Sequence, residues 1–146
     1  MGTTLDEVLR PSRILETVLY AGDLAAAEAF YGGVLGLAVH ARVAGRHVFF
    51  RCGDQMLLVF DPGVTVAAPK PGAKLPVPPH GAIGAGHVCF AATAAELERW
   101  RQHLVAHGLA IEADFVWPSG GRSIYVRDPA GNAIEFAEPS IWGMNT

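Results

Sequence analysis

A chain of 146 residues, 51% hydrophobic and 17% charged with a formal net charge of −3, has the size and composition of one globular domain. The faint acidic balance offers no basic surface to nucleic acid, and no run of like charges suggests an interaction tail. Two cysteines without CxxC spacing exclude a disulfide framework, and no apolar run nears the roughly 18 residues of a membrane span, so a reduced, cytoplasmic protein is expected.

The N-terminus places Asp6 and Glu7 ahead of any apolar run, which argues against a signal peptide, and Asp6 stands where an acylation motif opening with "MGTT" wants Ser or Thr. "RILETVLYA" then reads as a strand. "GDLAAAEAFYGGVLGL" reads as a helix, with Asp23 as its cap, Leu24, Ala27, Tyr31 and Val34 at helical spacing, and Gly36 as its stop. Three strands are expected over 37–43, 46–52 and 55–60. Six of the ten prolines (Pro62, Pro69, Pro71, Pro76, Pro78, Pro79) fall within 61–86, which marks a connector. Beyond it "GHVCFAA" is a strand. Thr93 caps a helix that buries Leu97, Trp100 and Leu104 and stops at Gly108. Strands at 111–117, 122–127 and 133–137 close the chain, joined by turns such as "DPAGN".

Each half therefore reads strand–helix–strand–strand–strand, and the sequence is an internal duplication. The expected organisation is a single domain over 1–146, with module 1 at 13–60, the connector at 61–86 and module 2 at 87–139. One residue breaks the pattern of the last strand, "AIEFA": Glu135, a carboxylate among apolar neighbours. A lone buried carboxylate costs several kcal/mol, so Glu135 needs a partner or a view of solvent. Alternation puts it on one face with Ala133 and Ala137, His87 with Cys89, and Glu16 with Val18 and Tyr20.

The paired modules, the "FY…LG" helix and the closing "DPAGNAIEF" resemble the vicinal oxygen chelate superfamily, which includes glyoxalase I, extradiol dioxygenases, methylmalonyl-CoA epimerase, and fosfomycin- and bleomycin-resistance proteins. The resemblance implies an α+β fold, two tandem βαβββ modules whose curved mixed sheets enclose a ligand or metal cavity. It also implies metal ligands on the first and last strands of each module, which here are Glu16, His87 and Glu135; the fourth slot falls on Leu58, found by setting "LLVFDP" against "IEFAEP". Two carboxylates and an imidazole form a hard, anionic set suited to Mn²⁺, Fe²⁺ or Mg²⁺, with Zn²⁺ also admissible. Tyr125 matches a substrate-contacting tyrosine of fosfomycin-resistance transferases, although the only arginine near it that could hold a phosphonate is Arg122. The expected activity is metal-dependent chemistry on an oxygen of a small-molecule substrate, of isomerase, lyase or transferase type. The alternative is a metal-free ligand-sequestering protein of the bleomycin-resistance type.

Other constellations carry less. "HLVAH" puts His103 and His107 at i, i+4, but on a face away from the buried stripe, where a solvated surface is expected. "GAIGAG" precedes a strand and cannot cradle phosphate at a helix start. Cys89 reads as a small buried hydrophobe. The resemblance and the sheet edges together imply a homodimer. The connector, with His80 near its end, is expected to form part of the cavity rim.

Overall fold

The computed structural model describes residues 8–145; the N-terminal stretch that bears on a leader or acylation signal lies mostly outside them. Eight strands form two four-stranded mixed sheets. The first holds β1 (Glu16–Tyr20), β2 (Ala38–Val43), β3 (His47–Cys52) and β4 (Gln55–Phe60) in the order β1-β4-β3-β2. The second holds β5 (His87–Ala91), β6 (Ala113–Val116), β7 (Arg122–Arg127) and β8 (Ala133–Ala137) in the order β5-β8-β7-β6. In both, the first strand runs parallel to the fourth and the other pairings are antiparallel. The duplication is repeated strand for strand. Neither sheet closes, so β1 and β5 each keep one unpaired edge. No helix among the described residues is long and apolar enough to cross a membrane.

Capping residues set the helix starts. The Asp23 carboxylate accepts from Ala26 N at 3.0 Å and opens α1 (Leu24–Glu28). Thr93 opens α3 (Ala94–Ala106) with a reciprocal capping box: its hydroxyl accepts from Glu96 N at 3.1 Å while Glu96 accepts from Thr93 N at 2.9 Å. Gly36 and Gly108 end the two helical segments at φ +77° and +79°, values that favour glycine. The first helix departs from the expected regular spiral. From Ala29 to Val34 it widens into a π-helical turn, with Leu35 N bonded to Phe30 O at 2.9 Å. The wider turn buries Phe30 and Leu35 alongside Tyr31, whereas the expected stripe residue Val34 is only half-buried. The connector also departs from a plain loop. Asp61 caps a short helix, α2 (Pro62–Thr65), by accepting from Gly63 N at 2.9 Å, with Pro62 in the first turn where its missing N–H costs nothing.

Helices cover one face of each sheet. Leu19, Val48, Phe50, Leu57 and Val59 from the first sheet and Ile124, Val126, Ile134 and Phe136 from the second join Ala27, Phe30, Tyr31, Leu97 and Leu104 in one core cluster. Each fully buried leucine there contributes about 1.5–3 kcal/mol by burial. The modules are fastened to each other by a polar clasp inside this core. Tyr31 donates its hydroxyl to Asp128 Oδ2 at 2.6 Å, and Asp128 also accepts from Asn132 N at 2.8 Å and Asn132 Nδ2 at 2.9 Å. Asn132 in turn donates to Tyr20 O at 3.2 Å and accepts from Gly86 N at 2.7 Å. Gly86 has no room for more: a Cβ would meet Leu19 at 3.2 Å and Asn132 Oδ1 at 3.3 Å. Burial, then the bond and charge of Asp128, push the Tyr31 phenol far above its ordinary range. Tyr31→Phe leaves a buried carboxylate short of one donor. We expect it to lower the unfolding free energy by about 1.5–3 kcal/mol in urea denaturation with an unchanged m-value.

Candidate functional site

The faces turned away from the helices carry the candidate chemistry. On the second module the register aligns Cys89, Glu135 and Tyr125 across β5, β8 and β7, with His87 and Ser123 on the same face. Glu135 is 5% exposed and therefore needs polar partners. The Ser123 hydroxyl donates to its Oε2 at 2.6 Å, and the Trp117 indole N–H donates to Ser123 Oγ at 2.8 Å, so the serine is held in the orientation that serves the carboxylate. The other oxygen, Oε1, faces His87 Nε2 at 3.1 Å.

The proton count at His87 decides what this contact means. Its Nδ1 lies 2.9 Å from Ala133 O, and a carbonyl only accepts, so Nδ1 carries the hydrogen. In neutral imidazole that leaves a lone pair on Nε2, aimed at a carboxylate oxygen that also offers only lone pairs. Two acceptors at 3.1 Å repel each other unless a cation, a proton or a metal ion, sits between them. A metal-ligating histidine ordinarily donates its other N–H to a backbone carbonyl, as here. Donors about 2.0–2.2 Å from one ion and roughly at right angles to each other also stand about 3 Å apart. The pair fits a divalent ion.

Its surroundings are arranged consistently. The Tyr125 ring stacks toward His87 at 6.1 Å and on Phe115 at 5.9 Å. Burial, then the neighbouring Glu135 carboxylate, pushes the Tyr125 phenol up to about 12, so it remains protonated and able to donate. Cys89 is exposed, not the buried hydrophobe expected, because it lies on the open face of β5; the protein around its sulfur, followed by the Glu135 charge, still pushes the thiol up to about 12. It is an uncharged thiol at neutral pH.

The remaining expected residues fall elsewhere. Glu16 is exposed at the start of β1, on the face it shares with Met56 and Leu58. Among the described residues no three His, Cys, Asp or Glu stand close enough together to hold an ion, so one chain brings His87 and Glu135 together without Glu16. Leu58 pairs with Val18 just as Glu135 pairs with Cys89, which places it in the matching slot of the first module. Arg122 shares the helix-covered side with Ile124 and Val126. It is spent on Asp114, through two bonds of 2.8 Å, and on Glu98 of α3 at 3.0 Å. It does not serve the open face. Arg127 is held by both oxygens of Glu112. His103 and His107 are exposed, each with a nitrogen against a backbone carbonyl, Val34 O at 2.7 Å and His103 O at 2.9 Å. A cleft of about 680 Å³ between Gly33–Gly36 and Trp100–His103 lies on the helical side, away from the pair. The connector ends on the open face of the first module, where His80 Nδ1 and Tyr20 Oη are 2.6 Å apart.

Ser123 and Trp117 were not anticipated. Ser123 was findable, since it shares strand parity with Tyr125; Trp117 was the last residue of the strand expected over 111–117, but β6 stops at Val116 and its indole bond to Ser123 could not be read from spacing. Burial first, and then the charge on Glu135, hold Cys89 protonated. Iodoacetamide at pH 8 should therefore alkylate Cys89 at least about tenfold more slowly than an unperturbed thiol, and Glu135→Gln should accelerate it, by site-resolved mass spectrometry.

The family model for the Glyoxalase/Bleomycin resistance protein/Dioxygenase superfamily matches residues 13–136. A crystal structure of lactoylglutathione lyase from Agrobacterium tumefaciens is 48% identical, with a TM-score of 0.87 over 92% of this chain and 98% of that one. An integron cassette protein of V. cholerae is 25% identical, with a TM-score of 0.67 over 90% of this chain and 98% of that one. A glyoxalase/bleomycin resistance protein/dioxygenase from Nocardioides, at 23% identity, shares the fold with a TM-score of 0.69 over 92% and 87% of the two chains. No curated protein matches the chain. The chain belongs to the glyoxalase/bleomycin resistance/dioxygenase superfamily.

Proposed function

We propose that the protein is a divalent-metal-dependent lyase of the glyoxalase type, acting on a small carbonyl-bearing substrate in a cavity shared between two copies of the chain. The observation that carries this reading is the His87–Glu135 contact, whose facing lone pairs call for a cation between them. The third donor is Glu16 of a second copy. The unpaired edges of β1 and β5 support that pairing, because each gains a partner if the first module of one copy meets the second module of the other.

A bound divalent ion supplies Lewis-acid charge for the negative charge that develops on a substrate oxygen. The chain's own residues prepare the place. Ser123 and the Ala133 carbonyl fix the two ligands before substrate arrives, which removes a reorganisation cost at the moment of reaction. Tyr125, protonated and beside Glu135, offers an O–H to a second substrate oxygen. Phe115, Trp117 and Tyr125 line the open face and limit water there. With both β7 arginines already paired to carboxylates, this wall favours a carbonyl over a phosphonate. Leu58 supplies no fourth ligand, so a coordination position stays open to substrate. The likeness to the Agrobacterium lyase makes the adduct of methylglyoxal and glutathione the first substrate to assay.

Protein purified without a histidine tag should hold one divalent ion per chain by elemental analysis, and sediment as a dimer at micromolar concentration. His87→Ala and Glu135→Gln should each reduce the metal to background while leaving the circular dichroism unchanged. Glu16→Ala and Glu135→Ala proteins, unfolded and refolded together, should regain about a quarter of the wild-type metal content, because half the dimers are mixed and each restores one site. Wild-type protein that takes up none of Mn²⁺, Fe²⁺, Mg²⁺ or Zn²⁺ sinks the reading in favour of a metal-free sequestering protein.

A further inference from the structure

The first module's open face holds a polar group that the chemistry above does not use. His47, Phe49 and Arg51 of β3 share a side with Leu58 and Phe60 of β4 and Tyr20 of β1. His47 lies flat on Phe49, ring centroids 3.9 Å apart and planes 8° from parallel, and meets Phe60 edge-on at 5.6 Å. Phe60 packs against His80 at 4.8 Å, and His80 reaches Tyr20. The five rings make a continuous wall. His47 and Phe60 are buried in it, while Tyr20, Phe49 and His80 stay partly open.

Arg46 fixes where the His47 proton sits. Its Nη1 is 2.6 Å from His47 Nδ1, and a guanidinium only donates, so Nδ1 accepts and the hydrogen is on Nε2. The same guanidinium lies 5.4 Å over the Phe60 ring, which holds it in place. Burial and the Arg46 charge keep His47 below the usual histidine range, in line with a neutral ring. No buried side-chain nitrogen among the described residues lacks a partner, so the Nε2–H, which has no described acceptor, looks out of the wall.

We propose that His47 is a specificity-determining residue: its Nε2–H donates to an oxygen of a substrate whose flat, unsaturated part lies against Tyr20, Phe49 and His80. The ligand class is an aryl or conjugated carbonyl compound. A site built around a fixed donor rejects an analogue that has the same shape but no acceptor, because the donor is then left unpaired. The proposal rests on the preceding reading only in setting this wall opposite the His87–Glu135 pair.

Acetophenone and α-methylstyrene are a suitable matched pair, alike in shape and differing in the carbonyl oxygen. Titrated by NMR into wild-type protein, acetophenone should bind about three- to tenfold more tightly. Long-range ¹H–¹⁵N spectra at pH 7 should show His47 as the neutral Nε2–H tautomer, with that nitrogen shifted by acetophenone alone. His47→Phe should abolish the preference, and His47→Gln, which keeps a donor near the same place, should restore part of it. Equal affinities in the wild type, or a proton on Nδ1, overturn the proposal without any variant having to fold. Elemental analysis of the same samples separates the two readings. Discrimination by protein that takes up none of the four ions sinks only the metal centre, and one ion per chain with equal affinities sinks only the role of His47.

Discussion

The hydrogen bond from Tyr31 to Asp128 is the constraint on which the arrangement depends. It joins the helix of one module to the turn of the other, with both groups buried. Asp128 is 5% exposed, and only the three donors around it make its burial tolerable. Because Asn132 passes the connection on to Tyr20 O and to Gly86, the clasp also fixes the end of β1 and the start of β5. Those are the strands that carry Glu16 and His87. A bond far from the open faces thus sets where the candidate ligands begin.

Duplication has left the two modules with the same backbone and different duties. The second module's open face is polar at its centre, with Glu135 served by Ser123 and Trp117 and faced by His87. The first has Leu58 in the slot that corresponds to Glu135 and a wall of rings around it. The carboxylate needs its serine: burial without a donor would leave its charge unsatisfied. The leucine needs only neighbours.

Much of this was legible in the sequence because the signals were local. Asp23, Thr93, Gly36 and Gly108 act where their chemistry predicts; alternation set the faces of His87 and Glu135 within their strands, and the pairing register, not the spacing, aligns them with Tyr125. What escaped was set by contacts distant in the chain or by a break in periodicity. The turn at Ala29–Val34 does not keep the 3.6-residue period, so Phe30 and Leu35 were missed as core. Arg122 was considered as a cation for the cavity, yet its parity with Ile124 turns it toward Glu98 and Asp114. His47 gave no sign, because its meaning depends on the rotamer of Arg46 beside it. That Glu16 stands apart from the other two candidate ligands also could not be read from spacing, which reports faces of strands but not which sheets meet.

The widened turn has one more consequence, for how this segment tolerates change. Residues ahead of Ala29 pack on the first sheet, whereas Tyr31, two positions later, reaches the other module. The turn acts as a phase shifter between these two partners, and its length sets the angle. Conservative exchanges within it alter packing by degrees. The π turn takes in one residue more than an α turn, so removing a single residue would restore an ordinary helix, leave the chain beyond it close to its present phase, and displace the side chains inside the turn, Tyr31 among them. The Tyr31 side would then no longer keep step with the clasp. The segment is therefore strict in count, and at Phe30 and Tyr31 strict in composition as well.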